Sequence, residues 1–282
     1  MAATIKDVRP SPLAGTWYPA DAQALRQMVD GFLAQAKPAA PEGRIIGLLA
    51  PHAGLRYSGP VAGYAFKLVG DLQPEVVAIL CPYHRPPYQL YDSPFATTAH
   101  DAYETPLGIV PVDRKTLHTL AEIVPLAAVR GDQEHAIEIE LPFLQRVLPH
   151  PFAILPIMII HQTEDLIEQL GHALARVLKD RRALLVASSD LSHFFPQQMA
   201  QRLDQATLAH VRNFDPRGVL QEGGQPGEGA CGRAAIAAVM WAARDLGADS
   251  ASILHYATSG DTAGDYRHVV GYGAGVFFAR AN

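Results

Sequence analysis

The chain is poor in cysteine and has no run of like charge. Its 282 residues include two cysteines, Cys81 and Cys231. That is too few for a disulfide framework, although their loops could converge and allow one bridge. Lysine and arginine number 23 against 28 aspartates and glutamates, for a formal net charge of −5. No Lys/Arg block is present to track a phosphate backbone, so a nucleic-acid partner is not expected. No apolar run approaches the roughly 18 residues that span a bilayer, and the opening MAATIKDVRPSP has no long apolar segment. A soluble, cytoplasmic protein without membrane contact is therefore expected. The phosphate-loop pattern GxxxxGK[ST], a GxGxxG after a strand and the GxSxG elbow are also missing, which removes support for nucleotide chemistry and for an ordinary serine hydrolase. Neither CxxC nor HExxH occurs, so a metal site has to be assembled from distant parts of the chain.

What is present is the composition of a protein with a large core. Apolar residues make up 49% and charged residues 18%, as in globular domains rather than disordered chains, and 282 residues fit a single domain spanning 1–282. Strand-like runs alternate with segments of helical period, the pattern of an α/β fold with a central mostly parallel or mixed sheet flanked by helices. Strands are expected at 45–50, 76–80, 152–160, 183–187, 252–258 and 269–278. Helices are expected at 21–36 with Asp21 as N-cap, at 60–69, 136–148, 163–178 and 196–211, and after Cys231. Pro142 predicts a break near Leu141, and Pro156 places its strand at an edge or a bulge. Residues 88–112 read as short, Pro-interrupted strands near the site.

In open parallel sheets ligands collect beyond the carboxyl ends of strands. His52 in LLAPHAG, His84 in ILCPYH, and Asp190 and His193 in SSDLSH all fall there. Cys231, between a glycine-rich stretch and the helical run AAIAAVMWAA, falls where a helix begins, a position expected to favour thiolate. Such a thiolate could be a nucleophile, a redox centre or a soft metal ligand. Asp190 and His193, three residues apart, could form a general acid/base pair with the carboxylate orienting the ring. His135 opens a helix beside Glu134 and Glu138, either of which could support it from behind. Asp261, in a loop of turn formers, could line the same pocket, and Ser188 or Ser189 could serve a triad. These residues leave three functions open. One is a metal-dependent redox protein, and another a metal-free cysteine hydrolase or transferase in which Cys231 attacks, His193 is base and Asp190 orients it. The third is a peptide-binding module using Trp17, Tyr18 and Tyr57.

Read together, RPSPLAGTWYPAD, LLAPHAGLRYSGPVAGYAF, EHAIEIELPFLQ, SSDLSHF, ACGRAAI and SGDTAGDYRHVVGYGA resemble the Memo family from about Arg9 onward. Prokaryotic members of that family carry the name AmmeMemoRadiSam system protein B. The resemblance implies a fold like that of LigB-type class III extradiol dioxygenases, which hold non-haem iron with two histidines and a glutamate. It also implies that His52 and His84 are metal ligands and that Cys231 stands where those enzymes have glutamate. His193 is implied as acid/base, with Asp190 and His135 lining the pocket. Sulfur in place of carboxylate shifts the expected metal toward copper or a more covalent iron site, with zinc as a further option. The implied ligand is a small molecule or peptide, and the family's prokaryotic name implies a radical SAM partner protein. Family members commonly carry GPSH or GPNH before the second histidine, whereas this chain has CPYH, which places Cys81 and Tyr83 beside it.

Overall fold

The computed structural model describes residues 5–281. Its strands are β1 (Val8–Arg9), β2 (Gly43–Ala50), β3 (Val76–Pro82), β4 (Phe95–Thr98), β5 (Ala102–Thr105), β6 (Gly108–Pro111), β7 (Leu126–Val129), β8 (Ala153–Ile159), β9 (Ala183–Ser188), β10 (His193–Phe195), β11 (Ser250–Thr258) and β12 (Val269–Arg280). Nine of them form one sheet in the order β10-β12-β2-β9-β3-β8-β4-β7, with β11 also paired to β12, and β1, β5 and β6 form a small second sheet. The four inner strands β2, β9, β3 and β8 are parallel. β12 and β4 run antiparallel on either flank, so the sheet is mixed. Every residue of β3 is buried, which is why the run VVAILCP is apolar without alternation: a parallel strand is covered on both faces.

Helices flank the sheet in two groups. The first comprises α1 (Ala22–Gln35), α2 (Leu55–Lys67) and α4 (Leu141–Val147), packed together with α2 against β2 and β12. The second comprises α5 (Glu164–Leu178), α7 (Pro216–Gln221) and α8 (Arg233–Asp245), with α8 on β3 and β9. Asp21 caps α1, its side chain accepting from the Ala24 N–H at 2.8 Å. All ten residues from Ala234 to Ala243 in α8 are buried, and their small side chains let α5 approach closely. A Cβ added at Gly171 of α5 would stand 2.6 Å from the Trp241 Cβ. The remaining helices are α3 (Arg114–Ala121), α6 (Gln197–Arg212) and α9 (Ser259–Ala263).

Two prolines behave differently from the sequence expectation. Helix α2 starts at Leu55, five residues before Pro60, which lies inside it. The Leu55 N–H finds its acceptor in the Trp17 carbonyl, and the N–H groups of Tyr57 and Ser58 find theirs in Gly54, so the first turn closes ahead of the proline. Strand β8 lies in the interior of the sheet, not at an edge. Its Pro156 is paired in register with Ile79, while its carbonyl points toward β4 and accepts from the Thr97 hydroxyl at 2.7 Å. The missing N–H thus faces the side where β4 pairs only with Met158 and Ile159, and no ladder bond is lost. Pro142 does mark a change near Leu141. A 3-10 turn at Glu138–Glu140 gives way there to α4, whose second residue is that proline, a position where its absent N–H is harmless.

Candidate metal centre

The carboxyl ends of three adjacent parallel strands place the site. His52 follows β2, His84 follows β3 and Asp190 follows β9. His135 arrives from the segment after β7, Cys231 from the turn before α8, and His193 opens β10. His52, His84 and His135 each offer a ligand atom within 4.8 Å of the others, a grouping that could hold a metal ion. The His84 and His135 rings stack at 4.5 Å, and both meet the His52 ring edge-on at 5.2 and 5.3 Å.

Two of the rings, those of His84 and His52, are aimed from behind. The Glu134 carboxylate accepts the His84 backbone N–H at 2.7 Å and faces His84 Nδ1 at 3.0 Å. It also accepts the N–H groups of His135 and Ala136 at 2.8 and 2.9 Å. Burial pushes this carboxyl upward, but the hydrogen bonds from His84 and the neighbouring imidazoles hold it below the usual range. It is a charged partner for His84. His52 Nδ1 lies 3.0 Å from the Ser188 hydroxyl, and the Asp190 carboxylate fixes the loop by accepting the His52 and Ala53 N–H groups at 2.8 and 3.3 Å. With both Nδ1 atoms engaged, the Nε2 atoms of His52 and His84 are the nitrogens left for a ligand. Such carboxylate and hydroxyl partners fix the tautomer and orientation of ligating histidines.

The charge state suits a metal as well. Burial lowers His52 well below its usual value, and repulsion from His135, His84 and His193 adds to it. Burial also brings His135 down to about 4, against the pull of Glu134, and lowers His193, with His84 contributing. Neutral imidazoles are the ligating form. The repulsion ties His193 electrostatically to both His52 and His84.

Several expected roles change. Cys231 Sγ lies 3.2 Å from His52 Nε2, so the sulfur does reach the centre. The helix behind it, however, starts only at Arg233. Burial and then the Asp190 charge push the thiol well above its ordinary value, which overturns the expectation of a free thiolate. Asp190 does not orient His193. Its Oδ1 serves the His52 loop, and burial raises its acid to about 7. Glu138 is not a partner of the histidines, because it binds Arg9, Ser11 and Tyr18. Asp261 caps α9 with Thr258, and both cysteines are free. Trp17 packs on the His135 ring at 4.4 Å and is 37% exposed, whereas Tyr18 is buried with its hydroxyl on Glu138. The sequence reading missed Glu140, a glutamate flanked by apolar residues in EIELPF. That placement was the available signal that its side chain faces the interior.

No helix among the described residues is long and apolar enough to cross a membrane. In fold, the chain is similar to an uncharacterized protein from Escherichia coli K12 of known crystal structure, with a TM-score of 0.52 at 14% identity over 83% of this chain and 100% of that one. In sequence it is 32% identical over 274 residues to a MEMO1 family protein of Nitrosopumilus maritimus, covering 95% of this chain and 98% of the relative. It is also 34% identical over 285 residues to one from Methanopyrus kandleri, with 95% and 98% coverage. A third relative, from Aquifex aeolicus, is 33% identical over 275 residues, with 94% and 97% coverage. The family model for Memo-like proteins matches residues 9–276, and the chain belongs to the Memo family.

Proposed function

We propose that the protein is a metal-dependent redox protein whose ion is held by His52, His84 and Cys231, with His135 as a further nitrogen at the same centre. The observation that carries this reading is the convergence of three imidazoles at the strand ends, two of them locked from behind by Glu134 and Ser188. A donor set of nitrogen and sulfur fits copper or iron, with zinc as the non-redox competitor. Once bound, a redox-active ion would supply electron exchange and an open position for oxygen or substrate, in the manner of the extradiol dioxygenases that the family resembles. This chain's own residues do the rest. Cys231 would give up its proton on ligating, His193, electrostatically coupled to His52 and His84, would take or return a proton, and Trp17 on His135 would form one wall for a small-molecule or peptide ligand.

The test is metal analysis of full-length protein purified without chelator, alongside His52→Ala, Cys231→Ser and His135→Gln. Near-stoichiometric iron or copper in the parent protein, lost in His52→Ala and reduced in Cys231→Ser, supports the reading. Absence of metal even after anaerobic reconstitution overturns it. A second reading is favoured by one contact, Cys231 Sγ to His52 Nε2 at 3.2 Å, which is also the spacing of a nucleophile and its base. In that case His52, rather than His193, is the base of a metal-free cysteine enzyme. Covalent capture of Cys231 by a substrate-like electrophile, abolished in His52→Ala, would favour it.

A further inference from the structure

Behind His52 stands a second buried carboxyl group, and its surroundings differ from those of Glu134. Glu140 is 0% exposed, and no arginine, lysine or histidine pairs with it among the described ion pairs. Its Oε1 lies 2.5 Å from the Ser188 hydroxyl, and its Oε2 has no hydrogen-bond partner among the described residues. An ionised carboxylate in that position, with one hydroxyl as its protein partner among the described residues, is disfavoured by burial.

The hydrogen-bond arithmetic at Ser188 leads to the same answer. The hydroxyl has one proton and two lone pairs, and three groups surround it: the Ala136 carbonyl at 2.9 Å, Glu140 Oε1 at 2.5 Å and His52 Nδ1 at 3.0 Å. A carbonyl can only accept, so all three contacts can be hydrogen bonds at once only when the single proton goes to Ala136. The other two contacts are hydrogen bonds only if Glu140 and His52 Nδ1 both donate. We infer that Glu140 is a neutral, proton-donating acid that orients Ser188 and, through it, holds the His52 ring with Nδ1 protonated and Nε2 bare. Burial, pushing this acid upward, agrees.

The two strand-end histidines therefore have unequal support. His84 is backed by a charged carboxylate and is the stronger donor. His52 is backed by a hydroxyl and an uncharged acid, which leaves it an ordinary neutral imidazole. Glu140 is a positioning residue, two hydrogen bonds from His52 Nδ1. The inference rests on the reading that Nε2 of the same ring is the working atom of the site, whether it faces a metal or the Cys231 thiol.

Infrared spectroscopy of the full-length, metal-free protein tests it. The difference spectrum between the parent protein and Glu140→Gln should show the C=O stretch of a protonated carboxyl group, and Ser188→Ala should shift that band because the acid loses its acceptor. Glutamine keeps an N–H donor toward Ser188, so zinc affinity in Glu140→Gln should stay within about 3-fold of the parent, while Ser188→Ala should lose roughly 10-fold. A missing protonated-carboxyl band, or a band indifferent to Ser188→Ala, overturns the inference. So does a folded Glu140→Gln protein that loses zinc affinity more than about 10-fold. If the parent protein binds no metal at all, the proposed function fails, but the infrared band and its shift still decide the state of Glu140.

Discussion

Replacing Glu134 with glutamine probes the centre through a single pair of atoms. Oε1 of the carboxylate takes the His135 and Ala136 N–H groups at 2.8 and 2.9 Å, while Oε2 takes the His84 N–H at 2.7 Å and lies 3.1 Å from His84 Nδ1. Glutamine has the same shape but one oxygen and one NH2. The oxygen stays with the two N–H groups that share Oε1, so the NH2 replaces Oε2 and meets the His84 N–H donor to donor. A buried donor without a partner costs about 1–3 kcal/mol. The same NH2 can donate to His84 Nδ1 in competition with the retained oxygen, which lies 3.0 Å from that nitrogen, and where the NH2 wins the ring proton moves onto Nε2, the nitrogen a metal needs. Loss of a carboxylate behind a ligating histidine lowers metal affinity by about 10–100-fold. Calorimetric titration with zinc or cobalt, together with urea unfolding of the metal-free protein, reads both quantities. Lower stability with unchanged affinity would refute the tautomer step, and parent-like values of both would refute the role of Glu134.

Further outcomes follow from the same geometry. Because burial brings His135 down to about 4 from its ordinary 6.5, its contribution to stability is present above pH 6.5 and is lost as pH falls through 4. The stability of the metal-free parent relative to His135→Gln should therefore rise by about 3 kcal/mol across that window, and a flat difference would exclude it. Comparison with the variant cancels the opposite trend from Asp190, whose acid is raised to about 7. Alkylation of Cys231 by iodoacetamide at neutral pH should run at least about 100-fold slower than that of free cysteine, because only thiolate reacts and its surroundings disfavour it; rapid labelling would contradict the protonated thiol. Gly232→Ala places a Cβ 2.6 Å from the Ser188 carbonyl and 2.7 Å from the Ser189 Cβ. It should cost about 1–3 kcal/mol and weaken metal binding by displacing Cys231, as thermal unfolding and metal titration would show.

The α/β architecture was legible because hydrophobic period is local. The runs that became β2, β3 and β9 are apolar at every inward position, and Asp21 caps its helix as the sequence reads. His52, His84 and Asp190 were legible for a related reason, since a strand end is visible as the place where an apolar run stops. The prolines were misread where the outcome depended on neighbours. Pro156 sits inside the sheet because its missing N–H turns toward a side where β4 has no pair for it. Pro60 sits inside α2 because the Trp17 carbonyl helps to start that helix earlier.

The sequence by itself determined the alternation of strands and helices, the strand-end positions of the polar residues and, through its spaced motifs, the resemblance to the Memo family. Only the tertiary structure decided which polar groups serve which histidine. Asp190 turns from His193 to the His52 loop, Glu134 rather than Glu138 lies against His135 and also backs His84, and Glu140 enters the site from a segment that reads as core. Hydrogen-bond partners 48 to 138 residues apart leave no local trace in a sequence. Their pairing, and the burial that sets their charge, exist only once the parallel strands bring their ends together.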